Sequence, residues 1–482
     1  MDKNQVSEVK RKTIISALSL FFQSGYAAFL GLAANLVLTI LLSPGVFGIY
    51  IATLSIISIL NYFSDIGLAA SLIQKKEITR DDEKTAFTIQ QFLVISLVIV
   101  GFLATSTIRN FYKLPVEGTF LYWSLLLGFF LSSLKTIPSV FLERKIHFQK
   151  IVLVQVIENT FFYLTVITLA IMGYGLNSFT YAVILRSVVG LISIYIISPW
   201  KPGIGINIAS FKRLVSFGAP FQASSLLALV KDDLMILYLG KVLGFTGLGY
   251  IGWAKKWAEA PIRIIMDNIS RILFPLFSKF QNEKERLTKL VEKIIFYQSF
   301  LILPAIIGAA LTMHQFIDLI PRYSQWTQAL PLFYLFCLSA LLSSYSTPFI
   351  NLLNGLGYVK ISFYFMVGWT AATWILTPIL IKMFGYLGFP ITLVMLSMSF
   401  IVVIYQTKKV VNFSFLTNIF PFLVSSFIMA AIVTLLLNFS PFSSLVALII
   451  AVLVGIMSYL FMIRFVFKID FLKEIITLKK NE

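Results

Sequence analysis

The chain has 482 residues, 58% hydrophobic and only 12% charged, with a mean hydropathy of +0.89 and a formal net charge of +18. Soluble domains carry roughly twice that share of charge, so a soluble fold is excluded. The single cysteine, Cys337, excludes an internal disulfide and a cysteine metal centre; the distant His147 and His314 offer no zinc site, and no GxxxxGK[ST] phosphate loop occurs.

The predicted elements are apolar helices, each near the ~20 residues that cross a bilayer. In chain order they fall at 13–42, 46–70, 86–108, 118–140, 151–172, 177–198, 214–240, 247–275, 290–312, 328–353, 359–381, 387–407, 417–437 and 443–463, fourteen spans in all. The first follows a basic N-terminus, MDKNQVSEVKRK, and runs too far without a small-residue cleavage site to be a signal peptide. Connections are short throughout. The expected fold class is therefore all-α, a polytopic membrane protein.

Orientation follows from Lys and Arg, which resist translocation. With the N-terminus inside, the inner segments hold 27 of them and the outer segments 5. Both termini are expected in the cytoplasm. That distribution also accounts for the positive charge through topology and anionic membrane lipids, so no nucleic-acid partner is implied.

A repeat is visible. LSPGVFGIYIA (Leu42 to Ala52) follows the first span and LGFTGLGYIGWA (Leu243 to Ala254) follows the seventh, about 201 residues later. Six spans, an even number, separate the copies, so both halves point the same way. The expectation is two pseudo-symmetric six-helix lobes, at 1–200 and 201–410, with 411–482 supplying two additional helices and a tail.

Charges inside spans are the main functional signal. The stretch WAKKWAEAPIRIIMDNISRILFP carries Lys255, Glu259, Arg263, Asp267 and Arg271 at four-residue intervals, with Lys256 beside them. That spacing stacks alternating charges along one side of a helix. Each charge costs about 2.5–3.5 kcal/mol at the bilayer centre, so the face is expected to line an aqueous cavity, the alternatives being a salt-bridge strut or a surface helix. Lys231, Asp232 and Asp233 lie in the seventh span, Arg186 in the middle of the sixth, Lys135 and Glu158 in the fourth and fifth, and Asp65 near the end of the second. Trp253 and Trp257, beside the ladder, either stack on sugars or belong to an interfacial belt.

The segment LLSPGVFGIYIATLSIISILNYFSDIGLAASLIQKKEITRDDEKTAF resembles the opening of bacterial polysaccharide and O-antigen repeat-unit flippases, with its S-P, G-x-Y and D-x-G-L pattern and basic loop. FLERKIHFQKI is similar to the loop after that family's fourth helix, and FGAPFQASSLLALVKDDLMILYLGKVLGFTGLGYIGWAKK to its seventh and eighth helices. The resemblance, strongest over the first 280 residues, implies the multidrug/oligosaccharidyl-lipid/polysaccharide (MOP) exporter superfamily. It implies a central cavity and a substrate, an oligosaccharide linked to undecaprenyl diphosphate, flipped across the bacterial inner membrane by alternating access for surface polysaccharide or lipopolysaccharide assembly. Polysaccharide polymerase machinery is the further partner expected.

On that reading Arg186 and Arg263, then Lys135, Lys231, Lys255 and Lys256, are the candidates for diphosphate or acidic sugars, arginine offering forked contacts. Asp233, Glu259, Asp267, Asp232 and Glu158 either couple transport to protons or sodium or hold salt bridges. No other cofactor and no metal is expected. The rival within the superfamily is a multidrug or cation antiporter, which would be expected to rely on acidic residues. A membrane glycan polymerase or glycosyltransferase would be expected to carry a large catalytic loop, so no enzyme activity is expected.

Overall fold

The computed structural model describes residues 3–469 apart from 76, 224–225, 282 and 440–443. Every regular element among them is helical, and the chain clusters into two compact units, Met1–Gly252 and Trp253–Glu482. The first unit holds α1 (Lys3–Leu41), α2 (Pro44–Tyr62), α3 (Leu68–Gln74), α4 (Arg80–Leu103), α5 (Thr105–Tyr112), α6 (Val116–Ser133), α7 (Thr136–Arg144), α8 (Phe148–Ile171), α9 (Asn177–Ile197), α10 (Ile208–Ala223) and α11 (Leu226–Lys231). α12 (Asp233–Lys279), broken at Gly244, continues into the second unit. There follow α13 (Lys284–Leu319), α14 (Leu330–Gly355), α15 (Val359–Phe384), α16 (Gly388–Ser397), α17 (Phe400–Lys408), α18 (Phe415–Phe439) and α19 (Ser444–Phe461).

Twelve segments among the described residues, rather than fourteen, are long and apolar enough to cross a membrane. Two of them are long: Leu226–Met266, with 41 residues, contains the break at Gly244, and Val359–Lys408, with 50, contains a short 3-10 turn at Gly385–Leu387. Several expected spans are built in two pieces. The second, expected to run to 70, stops at Tyr62, and α3 begins only after a turn at residues 63–67.

Chemistry at the helix ends explains the D-x-G-L and basic-loop sequences. Asp65 accepts the Ala69 N–H at 3.1–3.2 Å, satisfying an otherwise orphaned donor at the start of α3. Gly67 is left-handed (φ 75°), and a Cβ there would fall 2.2 Å from the Gly218 carbonyl oxygen of α10. Thr79 and Asp82 form a capping box at α4, with bonds of 3.2 and 2.9 Å. Asp82 is wholly buried and also takes Lys75 and, at 3.5 Å, Arg213. The Arg144 guanidinium closes the end of α3 by donating to the carbonyls of Leu72, Ile73 and Lys75. These groups define one end of the first unit, called here its basic end.

At the opposite end the two copies of the repeat meet, inside the first unit. Ser43 is extended and Pro44 occupies the first turn of α2, where its missing N–H costs nothing. A Cβ on Gly48 would lie 1.7 Å from the Phe245 carbonyl oxygen, and one on Gly249 would lie 1.9 Å from that of Pro44. At the 201-residue offset Pro44 corresponds to Phe245 and Gly48 to Gly249, so the contact is reciprocal, as a two-fold relation demands. Lipid supplies no hydrophobic drive between helices, and backbone approach through small residues provides the attraction instead.

The first unit's core gathers Leu121, Tyr122, Val166, Phe179 and Ala182 from α6, α8 and α9. The second unit's core joins Phe277, Phe349, Val403, Phe422 and Tyr459.

The reciprocal glycine contact predicts that Gly48→Ala and Gly249→Ala each lower the thermal unfolding midpoint in detergent, by overpacking worth about 1–3 kcal/mol. Gly25→Ala, where a Cβ meets nothing within 4 Å, is expected to leave the midpoint unchanged or raise it.

Candidate functional site

The polar groups of the first unit are organised by a break in the fourth span. α6 ends at Ser133 and α7 starts at Thr136, which leaves Lys135 at the junction. Tyr195 Oη donates to the freed Leu134 carbonyl at 3.3 Å, and side chains pair around the break: Gln90 Nε2 donates to Thr136 Oγ1 at 2.9 Å and Ser133 Oγ to Gln91 Oε1 at 3.2 Å. Lys135 Nζ reaches Glu158 Oε1 on α8 at 2.5 Å, and Glu158 is buried. Gly190 of α9 makes room for that carboxylate, because a Cβ there would fall 1.8 Å from Glu158 Oε1.

Arg186 lies one turn before Gly190, and Phe162 one turn after Glu158. The antiparallel register of α8 and α9 therefore sets the Arg186 guanidinium over the Phe162 ring, 5.5 Å from its centroid. Tyr50 and Tyr163 lie within electrostatic reach of it, and the Tyr50 ring stacks on Phe179 at 4.3 Å. Among the described residues no carboxylate stands within ion-pair distance of Arg186, since Glu158 is engaged by Lys135. A guanidinium with its planar fork uncommitted is suited to bidentate capture of phosphate or carboxylate oxygens.

Lys231, Asp232 and Asp233 also belong to the first unit, around the start of α12. Asp233 lies near Ser58 of α2, and both aspartates act electrostatically on Tyr62 one turn further along α2. No carboxylate lies within ion-pair distance of Lys231 among the described residues.

The ladder residues lie on the part of α12 in the second unit. Glu259 is shared, with Lys255 Nζ at 3.9 Å and Arg263 Nη2 at 2.9 Å. Arg263 stays two-thirds exposed, and the exposed Lys256 lies within electrostatic reach of it. Asp267 and Arg271 are on the helix, but their side chains lie outside the described residues. Trp253 corrects the sequence reading: only 3% exposed, it stacks on Trp326 (5.5 Å, 16°) and donates Nε1–H to Tyr323 Oη at 3.0 Å. It belongs to an interior aromatic cluster, neither a sugar platform nor an interfacial belt. Trp257 meets Phe316 edge-on at 5.8 Å.

Sequence reasoning missed Gln90 and Gln91. The signal was there, two adjacent amides in the apolar run TAFTIQQFLVIS, but amides are easily passed over when charges are counted.

The two kinds of charge respond differently to truncation. Lys135→Ala leaves Glu158 buried without a cation and is expected to cost about 3–5 kcal/mol, seen as a lower unfolding midpoint, whereas Lys135→Leu with Glu158→Leu recovers most of it. Arg186→Ala orphans no carboxylate, so the midpoint is expected to move by less than about 1 kcal/mol equivalent. Equal losses for Lys135→Ala and Arg186→Ala would contradict the pairing.

The family described as polysaccharide biosynthesis protein matches residues 37–331. The chain is 27% identical over 348 residues to the lipopolysaccharide biosynthesis protein WzxC of Escherichia coli (strain K12), covering 70% of this chain and 69% of that one. It is 21% identical over 340 residues to the succinoglycan biosynthesis transport protein ExoT of Rhizobium meliloti (strain 1021), covering 70% and 68%. In fold it is similar to the lipid II flippase MurJ in an inward closed conformation, with a TM-score of 0.76 and 15% identity over 94% of this chain and 99% of that one. It is also similar to an inward-facing multidrug resistance MATE family transporter of the MOP superfamily, with a TM-score of 0.58 and 14% identity over 82% and 98%. At such identities the solved structures speak to fold alone, that of a multi-pass helical membrane protein.

Proposed function

Because the chain belongs to the polysaccharide biosynthesis protein family, we propose that it is a transporter, not an enzyme, that flips lipid-linked oligosaccharide repeat units across the bacterial cytoplasmic membrane. The observation that carries this reading is the family match over residues 37–331, which runs through the Arg186 layer and the charged ladder. The carrier lipid is undecaprenyl diphosphate, and movement is from the cytoplasmic to the outer leaflet by alternating access. The chain crosses fourteen times, counting the segments broken at Gly244 and at Gly385–Leu387 twice. Both termini lie in the cytoplasm, as the bias of 27 basic residues against 5 supports. Lobes at 1–200 and 201–410, with 411–482 appended, follow the repeat, and polymerase machinery receives the glycan on the far side.

In this proposal Arg186 grips the diphosphate or an acidic sugar with donors that no carboxylate has claimed. Lys231, Lys256 and the exposed Arg263 add secondary contacts. Lys135 and Lys255 serve chiefly to neutralise Glu158 and Glu259. Coupling to protons or sodium falls to Asp232, Asp233 or Asp267. The cation-antiporter reading is weaker, since Glu158 and Glu259 are already engaged by cations and the uncommitted charge at mid-helix is an arginine.

A lipid-linked substrate needs a place for its chain. The second unit carries an apolar groove of about 430 Å³ between α13, α18 and α19, lined by Phe300, Pro304, Gly308, Met429, Val433 and Ile456 among others. We assign it to part of the isoprenoid tail.

Two measurements test the reading, both using labelled lipid-linked oligosaccharide in proteoliposomes. Arg186→Ala is expected to reduce flipping about 10-fold or more with Arg186→Lys intermediate, the loss of one charge-assisted fork being worth about 1.5–3 kcal/mol. Unchanged flipping in Arg186→Ala would remove the assigned role. Gly308→Leu adds bulk where a Cβ meets nothing within 4 Å, so it is expected to fold normally and to slow flipping several-fold. Wild-type rates in that variant would sink the tail assignment.

A further inference from the structure

The connector between α9 and α10, residues 199–207, is neither helix nor strand. One edge is tied to α4. Gly205 N–H donates to Thr88 Oγ1 at 3.0 Å, Asn207 N–H to Thr85 Oγ1 at 2.9 Å, and Asn207 Nδ2 to Asp81 Oδ2 at 3.2 Å. Gly203 and Gly205 lie along the Lys84 stem, where Cβ atoms would fall 2.8 and 3.6 Å from its methylenes. Trp200 pins the upstream end against Phe87, with ring centroids 5.1 Å apart. Asn207 Oδ1 caps α10 by accepting the Ala209 and Ser210 N–H groups.

Burial alternates from here into the first residue of α10: positions 203, 205 and 207 are half-buried, and 204, 206 and 208 are exposed. Ile204, Ile206 and Ile208 are 84%, 66% and 68% exposed. Three isoleucines turned away from the protein need an apolar neighbour, and α4 indicates which. The positions that hold the strap, Asp81, Lys84 and Thr88, continue at steps of three and four along one face of α4. That face runs on through Phe92, Ile95, Ile99 and Phe102, all exposed on a helix that crosses the membrane. The strap is therefore fastened to the lipid-facing side of α4, about one helical turn from Phe92, where that face changes from apolar to charged. Exposed Arg80, Lys84, Lys201, Lys212 and Arg213 surround it.

We propose that residues 200–212 form a membrane-surface strap. Ile204, Ile206 and Ile208 enter the boundary between headgroups and acyl chains of the leaflet at the basic end, and Lys84, Lys201 and Lys212 meet anionic headgroups. The amphipathic pattern is that of an interfacial segment, built here on a non-helical connector and the first turn of α10, clamped to a spanning helix. The glycines are required because the strap lies flat on the Lys84 stem, and the threonines supply hydrogen bonds that a connector outside any helix would lack beside lipid.

The test uses full-length protein with Cys337→Ser, reconstituted in nanodiscs of phosphatidylethanolamine and phosphatidylglycerol. Single variants Ile204→Cys, Ile206→Cys and Ile208→Cys carry an environment-sensitive fluorophore. Phe92→Cys serves as the lipid reference and Lys284→Cys as the aqueous one. A nitroxide placed near the headgroup end of the acyl chain is expected to quench the strap labels about twofold or more over the aqueous reference, with iodide correspondingly less effective. Replacing phosphatidylglycerol by phosphatidylcholine is expected to weaken quenching at 204 and 206 but not at 92. Strap labels that behave like position 284, quenched by iodide and indifferent to the nitroxide lipid, would overturn the proposal. Quenching that ignores phosphatidylglycerol would overturn its headgroup contact.

Discussion

The hydrocarbon core of a bilayer contains no water to solvate a charge or an interrupted backbone, and the arrangement of this chain follows from that constraint. Where α6 breaks, the freed carbonyl of Leu134 is met by Tyr195, and the neighbouring hydroxyls of Ser133 and Thr136 are met by Gln91 and Gln90. Glu158, buried between α8 and α9, is met by Lys135 from that same break. Glu259 on α12 is met from both sides by Lys255 and Arg263. Against this pattern of matched groups, Arg186 stands out: its guanidinium rests on an aromatic ring, and among the described residues no carboxylate is within ion-pair distance. A cation left unmatched at mid-helix has a physical reason to persist if an anion visits it, and a diphosphate is such an anion.

Two kinds of close approach make that layer possible. Gly190 lets the Glu158 carboxylate lie against α9, which brings the next turn of each helix, Arg186 and Phe162, into register. At the far end, Gly48 and Gly249 let α2 and the start of the post-Gly244 helix touch backbone to backbone. In a soluble protein such contacts would be secondary to burial of apolar surface. In lipid they are a principal source of helix–helix attraction, which is why small residues recur at these crossings.

Much of this was legible in the sequence. Hydropathy alone specified an all-helical membrane chain, and the 201-residue offset between LSPGVFG and LGFTGLG marked two equivalent segments, though not that they touch. The four-residue spacing from Lys255 to Arg263 foretold the shared Glu259 pairings. Other features depend on distant partners. Nothing in the local sequence around Lys135 says that α6 breaks there or that Glu158, 23 residues away, receives its charge. Trp253 beside a charged ladder suggested an interfacial belt or a sugar platform, yet Tyr323 and Trp326, some seventy residues on, enclose it. The D-x-G-L turn was recognisable as a pattern, but its reason, the Gly67–Gly218 approach, needs α10 in place.

If Arg186 meets the anionic part of the substrate, its removal must weaken binding of the diphosphate itself. The most direct measurement is the affinity of wild type, Arg186→Lys and Arg186→Ala, reconstituted in nanodiscs, for a lipid-diphosphate oligosaccharide. The account predicts binding about 10-fold weaker in Arg186→Ala, with Arg186→Lys intermediate. Equal affinity in all three proteins would contradict it.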